Sequence, residues 1–196
     1  MSKMYSHVVY EKVAQLHCEH INQGFLATLG PSFLALLYEA IDKDKSSVLI
    51  AKEVDGDVVG FVSGAAGLRP IYKQLLYRPF SLFVALTSCF LSLSKLLKIV
   101  EILRMSKNNP ALKGLPRHEL LTIVVGPQYQ GQGHAGDLFA SLCDYFQAIN
   151  VANFKIVVGS DLARAHAFYL KMGCNVAGEI EVHKSKDSLV YVKQCS

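Results

Sequence analysis

The stretch HELLTIVVGPQYQGQGHAGDLFASL (118–142) joins a strand-like run to a helix-like run through a turn that carries three glycines. Residues 119–125 are almost all apolar and rich in β-branched side chains, which predicts a strand. Residues 138–149 place their apolar side chains at helical spacing, which predicts a helix. At a strand-to-helix turn, free backbone N–H groups and the helix dipole favour an anion. The sequence therefore predicts a phosphate-binding turn.

The glycine turn matches neither of two nucleotide-binding motifs, the dinucleotide-binding motif and the P-loop. Each motif requires a further feature that this sequence lacks. Gly131, Gly133 and Gly136 have GxGxxG spacing, which in a dinucleotide-binding fold stands early in the chain and is followed about 20 residues later by an acid. Here the glycines lie in the last third of the chain. The next strand-like run, 153–159, does not end in an acidic residue, and the first acidic residue after it is Asp161. A P-loop needs the sequence Gly-Lys-Ser or Gly-Lys-Thr, and this turn has Gly133-His134-Ala135 instead.

The rest of the chain predicts a mixed α/β (α+β) fold, with a central β-sheet flanked by helices. A single domain spans residues 1–196, and Asp55-Gly56 supplies the turn of a clear β-hairpin. The order strand–helix–strand around the glycine turn indicates a parallel crossover. The other predicted segments are a short strand over 7–13 that leads into a helix over 13–21, a helix over 31–41, the hairpin over 47–64, a helical insertion over 68–113, a strand over 153–159, a helix over 161–173, and strands over 175–183 and 188–195.

Composition narrows the class of protein. The chain has 196 residues, of which 51% are hydrophobic and 18% charged, so it should fold. The net charge of +4 is spread along the chain, which argues against a nucleic-acid partner. The five cysteines form no CxxC pair, and no signal-peptide pattern precedes them. We therefore expect reduced thiols, a cytoplasmic location and no metal site.

Residues 79–94 carry no charge and are flanked by Arg78 and Lys95. The segment is shorter than the roughly 20 residues of a spanning helix, and its serines lower its hydrophobicity. The main expectation is a buried or dimer-facing helix. A peripheral contact with a membrane surface is the second interpretation, and a membrane span is the third.

The glycine turn resembles the acyl-CoA-binding turn of the GNAT (Gcn5-related N-acetyltransferase) superfamily. Gln130, Gly133 and Ala135 match the family signature, and Val125 and Pro127 stand at the upstream positions expected for it. The resemblance implies that acetyl-CoA is the co-substrate, with its pyrophosphate on the turn and its pantetheine arm along the strand end. The cofactor-binding residues it implies are Ile123, Val124, Val125, Gln130, Gly131, Gln132, Gly133, His134, Ala135 and Gly136.

A second resemblance lies downstream, in the segment ARAHAFYLKMGC (163–174). It is similar to the family helix whose tyrosine stands near the thioester sulfur, and Tyr169 is the matching residue. The family's usual Asn and closing aromatic are replaced by Leu162 and Cys174. Together the two resemblances cover residues 118–174, which we interpret as the acyl-CoA-binding core. They imply that Tyr169 protonates the leaving thiolate.

An amine must lose a proton when it attacks a thioester, so a base is needed. Glu119 matches the position of a glutamate in the histone-acetylating branch of the superfamily, and is the first candidate. His118 is the second candidate, because imidazole titrates near neutral pH. A cysteine nucleophile is the rival chemistry, with Cys143 and Cys174 as the nearest candidates.

The resemblance thus implies an N-acyltransferase that moves an acetyl or short acyl group from acyl-CoA to a primary amine by direct attack. The alternative is a binding module that senses acyl-CoA or assembles with a membrane complex without chemistry. The segment GFLATLGPSFLALLYEAI (24–41), with VVGFVSG (58–64), resembles a bacterial subgroup often associated with surface-glycan synthesis, and this resemblance suggests an amino-sugar nucleotide as acceptor. Polyamines, aminoglycosides and protein amines are the alternative acceptors. A homodimer is the predicted assembly.

Overall fold

The computed structural model describes residues 4–21, 26–76, 114–183 and 186–195. Five helices and six strands lie in these ranges, with short 3-10 turns at Leu26–Leu29 and Pro127–Tyr129. The helices are α1 (His7–His20), α2 (Gly30–Lys43), α3 (Arg69–Leu76), α4 (His134–Ala148) and α5 (Ala163–Lys171). The strands are β1 (Ser47–Val54), β2 (Asp57–Ala65), β3 (Glu119–Val125), β4 (Asn153–Gly159), β5 (Asn175–His183) and β6 (Lys186–Gln194).

The six strands form one sheet in the order β1-β2-β3-β4-β6-β5. Only β3 and β4 are parallel, and α4 makes the crossover between them, so the predicted mixed sheet is confirmed. Two hydrophobic cores lie on its faces. Helices α1, α2 and α3 supply the first core, and α4 and α5 supply the second.

The predicted hairpin is confirmed as β1 and β2. Asp55 has a φ of 51° and Gly56 a φ of 83°, the left-handed conformations that a tight two-residue hairpin turn needs. Strand β2 then pairs antiparallel with β3, so the hairpin lies directly beside the strand that enters the glycine turn.

The strand predicted over residues 7–13 is wrong, because residues 7–20 form the single helix α1. Val8 and Val9 favoured a strand locally. Buried residues recur instead at Tyr10, Val13 and Ala14, and then at His17, which is the spacing of one helix face. Packing of that face against α2 overrides the local preference of the β-branched pair.

Only the start of the predicted helical insertion lies within the described residues. It forms α3, whose Ile71 and Leu75 are buried in the first core. The remainder, including the uncharged segment 79–94, lies outside the described residues. Of the helices described, none combines the length and the apolar character needed to cross a membrane.

A buried pair of polar side chains joins α1 to α2. The Nδ1 atom of His17 lies 2.6 Å from the Tyr38 hydroxyl, and both residues are almost fully buried. Burial lowers the pKa of His17 from 6.5 to about 4. The imidazole is therefore neutral in the folded protein at pH 7.

This buried histidine predicts a loss of stability in acid. Below pH 6.5 the unfolded chain binds a proton at His17 that the folded chain refuses until pH approaches 4, so the free energy of unfolding falls as pH falls through this window. A pKa difference of this size corresponds to about 3 kcal/mol in full. We expect His17→Phe to remove this part of the acid dependence, measured by urea unfolding at pH values from 7 to 4. Equal slopes for the two proteins would contradict the assignment.

Candidate active site

A cleft opens in the sheet where β3 and β4 part. The two strands pair only at Glu119 with Lys155 and at Leu120 with Ile156. Strand β3 continues to Val125 and β4 to Gly159, yet no further pair joins them. Backbone groups of β3 that face β4 beyond Leu120 therefore have no ladder partner in β4. An extended chain can add to such an edge like an extra strand.

Strand β3 carries a bulge at the point where the cleft opens. Ser63 of β2 pairs with Thr122, and the next residue, Gly64, pairs with Leu120. Leu121 is thus the extra residue, without a partner in β2. Bulges re-aim the groups around them, and they are common beside active sites.

The glycine turn follows directly at the wide end of the cleft. The Gly126 N–H donates to the carbonyl of Val59 at 2.9 Å, and the side-chain amide of Gln130 donates to the Val125 carbonyl at 3.1 Å. Gly131 and Gly133 have φ values of 79° and 89°, which other residues adopt only with strain. Gln130 therefore fastens the turn to the end of β3, and the glycines permit its tight path.

The turn leads into the start of α4, which is not capped by any side chain of the described residues. The first N–H groups of a helix have no partner within the helix, so they are free to bind an anion. A Cβ atom added at Gly131, Gly133 or Gly136 would meet no atom of the described residues within 4 Å. In the described part of the chain the space above the turn is therefore open, with room for an anion such as the diphosphate of coenzyme A.

The other predicted cofactor residues divide between backbone and side-chain roles. Ile123 and Val125 pack into the second core and Val124 into the first, which leaves their backbone groups for the cleft. Gln132 donates to the Gln128 carbonyl and is exposed. Ala135 is partly buried at the start of α4.

His134 is the first residue of α4, and its side chain does not face the open space. Both imidazole nitrogens are enclosed and find no hydrogen-bond partner in the described part of the chain, and the ring centre lies 6.3 Å from that of Tyr129. What His134 can present to an anion is therefore its backbone N–H.

Tyr169 lies in the second core, with only 5% of its surface exposed. Its ring packs against Phe139 of α4 and Tyr191 of β6, with ring centres 6.2 and 5.9 Å away. Burial raises the pKa of Tyr169 well above its ordinary value of 10. The phenol thus keeps its proton at neutral pH, as a general acid must.

Glu119 lies at the narrow end of the cleft and forms an ion pair. Its Oε2 atom is 3.2 Å from Nζ of Lys155, its register partner in β4. The Glu119 side chain keeps 29% of its surface exposed. Because side chains alternate along a strand and Leu120 belongs to the second core, Glu119 faces the side of α1 and α2. The structure therefore places Glu119 and Tyr169 on opposite faces of the sheet.

The sequence interpretation missed Lys155. Its Nζ atom also donates to the Pro116 carbonyl at 2.9 Å, so one buried cation holds the chain that enters β3 as well as the Glu119 carboxylate. The signal was a single lysine inside the apolar strand NFKIVVG (153–159). A buried lysine needs a charged or hydrogen-bonding partner.

The rival catalytic groups are poorly suited to their roles. Burial raises the pKa of both the Cys143 and the Cys174 thiols to about 11, so neither is a thiolate at neutral pH. Burial, with Arg117 and Lys155 nearby, lowers the pKa of His118, whose ring packs edge-on against Phe146. Among the described residues, no group of three or more His, Cys, Asp or Glu side chains could hold a metal ion.

Comparison with known proteins agrees with this geometry. The family model for the acetyltransferase (GNAT) family matches residues 16–174. No curated protein has a matching sequence. Among solved structures, an N-acetyltransferase from Staphylococcus aureus matches with a TM-score of 0.63 and 13% identity, over 100% of this chain and 98% of that one.

Two further solved structures share the fold at low identity. The ribosomal-protein-S18-alanine N-acetyltransferase from Escherichia coli has a TM-score of 0.59 and 14% identity, over 99% of this chain and 92% of its own. NAA60 from Arabidopsis thaliana, solved in complex with acetyl-CoA, has a TM-score of 0.57 and 17% identity, over 94% and 92%. The family match spans most of the sequence, including the cleft and the glycine turn, and this chain belongs to the GNAT family of acetyltransferases.

Proposed function

We propose that the protein transfers an acetyl group from acetyl-CoA to a primary amine by direct attack of the amine on the thioester. The observation that carries the proposal is the parting of β3 and β4 beside an uncapped helix start. The diphosphate binds the turn 130–136, and the pantetheine arm adds to the open edge of β3. The thioester then lies in the cleft between β3 and β4, where side chains from both faces of the sheet can reach it.

Each face supplies one proton-transfer group. A C–N bond forms as the amine attacks the carbonyl carbon, and the C–S bond breaks. Glu119 takes the amine proton, directly or through water, from the side of α1 and α2. Tyr169 gives its proton to the departing thiolate from the side of α4 and α5. Glu119 and Tyr169 lie on opposite faces of the sheet. This supports an acceptor that approaches the thioester from the face of α1 and α2, while the thiolate of coenzyme A leaves on the face of α4 and α5.

The acceptor is a primary amine, and three classes make the first panel. An amino-sugar nucleotide follows from the resemblance of the N-terminal region to enzymes of surface-glycan synthesis. A peptide that begins with alanine follows from the printed name of the Escherichia coli structure. A polyamine tests a small cationic acceptor. Homodimer formation and a membrane contact through 79–94 remain predictions.

Release of free thiol tests the proposal. The protein is mixed with acetyl-CoA and each amine of the panel, thiol is followed with a chromogenic disulfide, and the acetylated amine is identified by mass spectrometry. Thiol and product should appear in equal amounts with at least one amine. Tight acetyl-CoA binding without thiol release from any amine would favour the non-catalytic binding module instead.

Replacing Glu119 by Gln tests the base. The amide oxygen can still accept a hydrogen bond from Lys155, but it cannot take a proton. We expect turnover at pH 7 to fall by roughly 10²-fold, as for loss of a general base, and the deficit to shrink as pH rises and the free amine becomes neutral. A rate loss that is constant with pH, or that simply follows a loss of thermal stability, would make Glu119 a structural partner of Lys155.

A further inference from the structure

A lysine of β4 contacts the segment that enters β3 at three residues. Lys155 is 8% exposed, and its Nζ atom donates to the Pro116 carbonyl at 2.9 Å. Its backbone N–H donates to the His118 carbonyl, also at 2.9 Å. The same Nζ atom lies 3.2 Å from Oε2 of Glu119. The ammonium group is therefore held by backbone contacts that do not depend on the Glu119 side chain.

Lys155 and Glu119 project from the same face of the sheet. In β4 the neighbours Phe154 and Ile156 pack into the second core, so alternation along the strand turns Lys155 to the side of α1 and α2. Glu119 turns to that side as well, and the two residues are register partners in the parallel ladder. The ion pair therefore follows from the pairing of two strands.

The ion pair lies where the ladder between β3 and β4 ends. Only one more pair, Leu120 with Ile156, follows before the strands part. Exposed ion pairs are weak largely because two long side chains must be ordered at once. Here only the glutamate has to be ordered, because the Lys155 side chain is 10% exposed and bonded to the Pro116 carbonyl. The pair can therefore fix one orientation of the carboxylate at the narrow end of the cleft.

We propose that Lys155 is a positioning residue that orients the Glu119 carboxylate. The ammonium holds Oε2 and leaves Oε1, which has no partner in the described part of the chain, to take a proton from the amine. Lys155 acts through Glu119 and need not touch the substrate. This inference rests on the proposed acyl transfer, because Lys155 assists the reaction only if Glu119 is the base. The holding of the carboxylate can be measured separately.

Lys193 of β6 provides a matched control. It is a partly buried lysine in the neighbouring strand of the same sheet, and its Nζ atom donates to the Met172 carbonyl at 3.0 Å. Within the described ranges it forms no ion pair with a carboxylate. Its replacement removes a lysine and a bond to a backbone carbonyl but leaves the proposed base untouched. A purely structural role for Lys155 would make the two lysines equivalent.

Kinetics of the full chain with acetyl-CoA and a reactive amine test the effect on the reaction. Lys155→Met removes the ammonium group and should lower kcat about 10- to 100-fold, as small misplacements of reacting groups do, with little change in KM for acetyl-CoA. In a Glu119→Gln background the same change should cost less than about twofold, because the base that Lys155 orients is already absent. Lys193→Met should leave kcat near the wild-type value. A kcat that Lys155→Met leaves unchanged, or lowers equally in both backgrounds, would overturn the proposal.

NMR of the lysine ammonium groups tests the ion pair without any activity. Slow proton exchange marks an ammonium group that is buried and bonded, so Lys155 should give a protected signal, identified by its loss in Lys155→Met or Lys155→Arg. Glu119→Gln should accelerate that exchange about tenfold and leave the Lys193 signal unchanged. Equal exchange at Lys155 in the wild-type and Gln proteins would overturn the proposal. If the exchange result holds but no amine is acetylated, the proposed reaction fails while the holding of Glu119 by Lys155 is supported.

Discussion

Gly136→Asp is expected to weaken acetyl-CoA binding roughly 100-fold or more while the protein stays folded. Gly136 lies in the first turn of α4, and a Cβ atom added there meets no atom of the described residues within 4 Å. An acidic residue in the first turn of a helix stabilises it, so the fold should not suffer. The carboxylate would be added on the open side of the turn, where the diphosphate is proposed to bind. For two unit charges about 5 Å apart at an effective dielectric constant near 20, the repulsion is about 3 kcal/mol, which weakens binding roughly 100-fold or more.

Gly136→Asn is the matched control, because it has nearly the same shape without the charge. Calorimetric titration with acetyl-CoA should show a much smaller loss for Asn than for Asp, and thermal melts should show both variants folded. Equal affinities of the Asp variant and the wild-type protein would remove the diphosphate from this turn. Equal losses in Asp and Asn would point to blocked space and not to charge.

Tyr169→Phe is expected to lower turnover by roughly 10²–10⁴-fold, the usual contribution of a general acid, with little change in acetyl-CoA affinity. Only the hydroxyl is removed, and the ring contacts with Phe139 and Tyr191 stay. Because burial raises the pKa of Tyr169 above 10, ionisation of this phenol should not reduce the wild-type rate up to about pH 10.

Tyr191→Phe serves as the control for this prediction. Tyr191 is equally buried in the same core, and its hydroxyl bonds Nδ1 of His166 at 2.9 Å. Its removal should cost stability but leave turnover near the wild-type level. A Tyr169→Phe variant that works at the wild-type rate, or a Tyr191→Phe variant that loses as much rate, would make Tyr169 a packing residue.

The features that the sequence predicted correctly are those encoded within a few neighbouring residues. The hairpin depends on Asp55 and Gly56 between two β-rich runs, and the structure has both in left-handed conformations. The strand, turn and helix around 118–149 follow from a change of apolar period at the glycines. Such signals depend on local backbone chemistry, which tertiary packing does not override here.

The features that the sequence did not predict depend on which residues meet across strands. Glu119 was identified as a candidate base, but its partner Lys155 follows only from the register of β3 on β4. The bulge at Leu121 likewise follows only from the register of β2 on β3. No periodicity in a single chain records these pairings.

The most direct measurement of the central claim is the fate of a labelled acetyl group in a single turnover. The full chain is mixed with a slight excess of isotopically labelled acetyl-CoA, with and without an amine of the panel, quenched in acid, and analysed by mass spectrometry. Direct transfer predicts the label on the amine and an intact protein mass that is unchanged under both conditions. Two results would contradict the account. One is a protein that gains the mass of one acetyl group and then transfers that group to the amine, and the other is label that stays on coenzyme A with every amine tested.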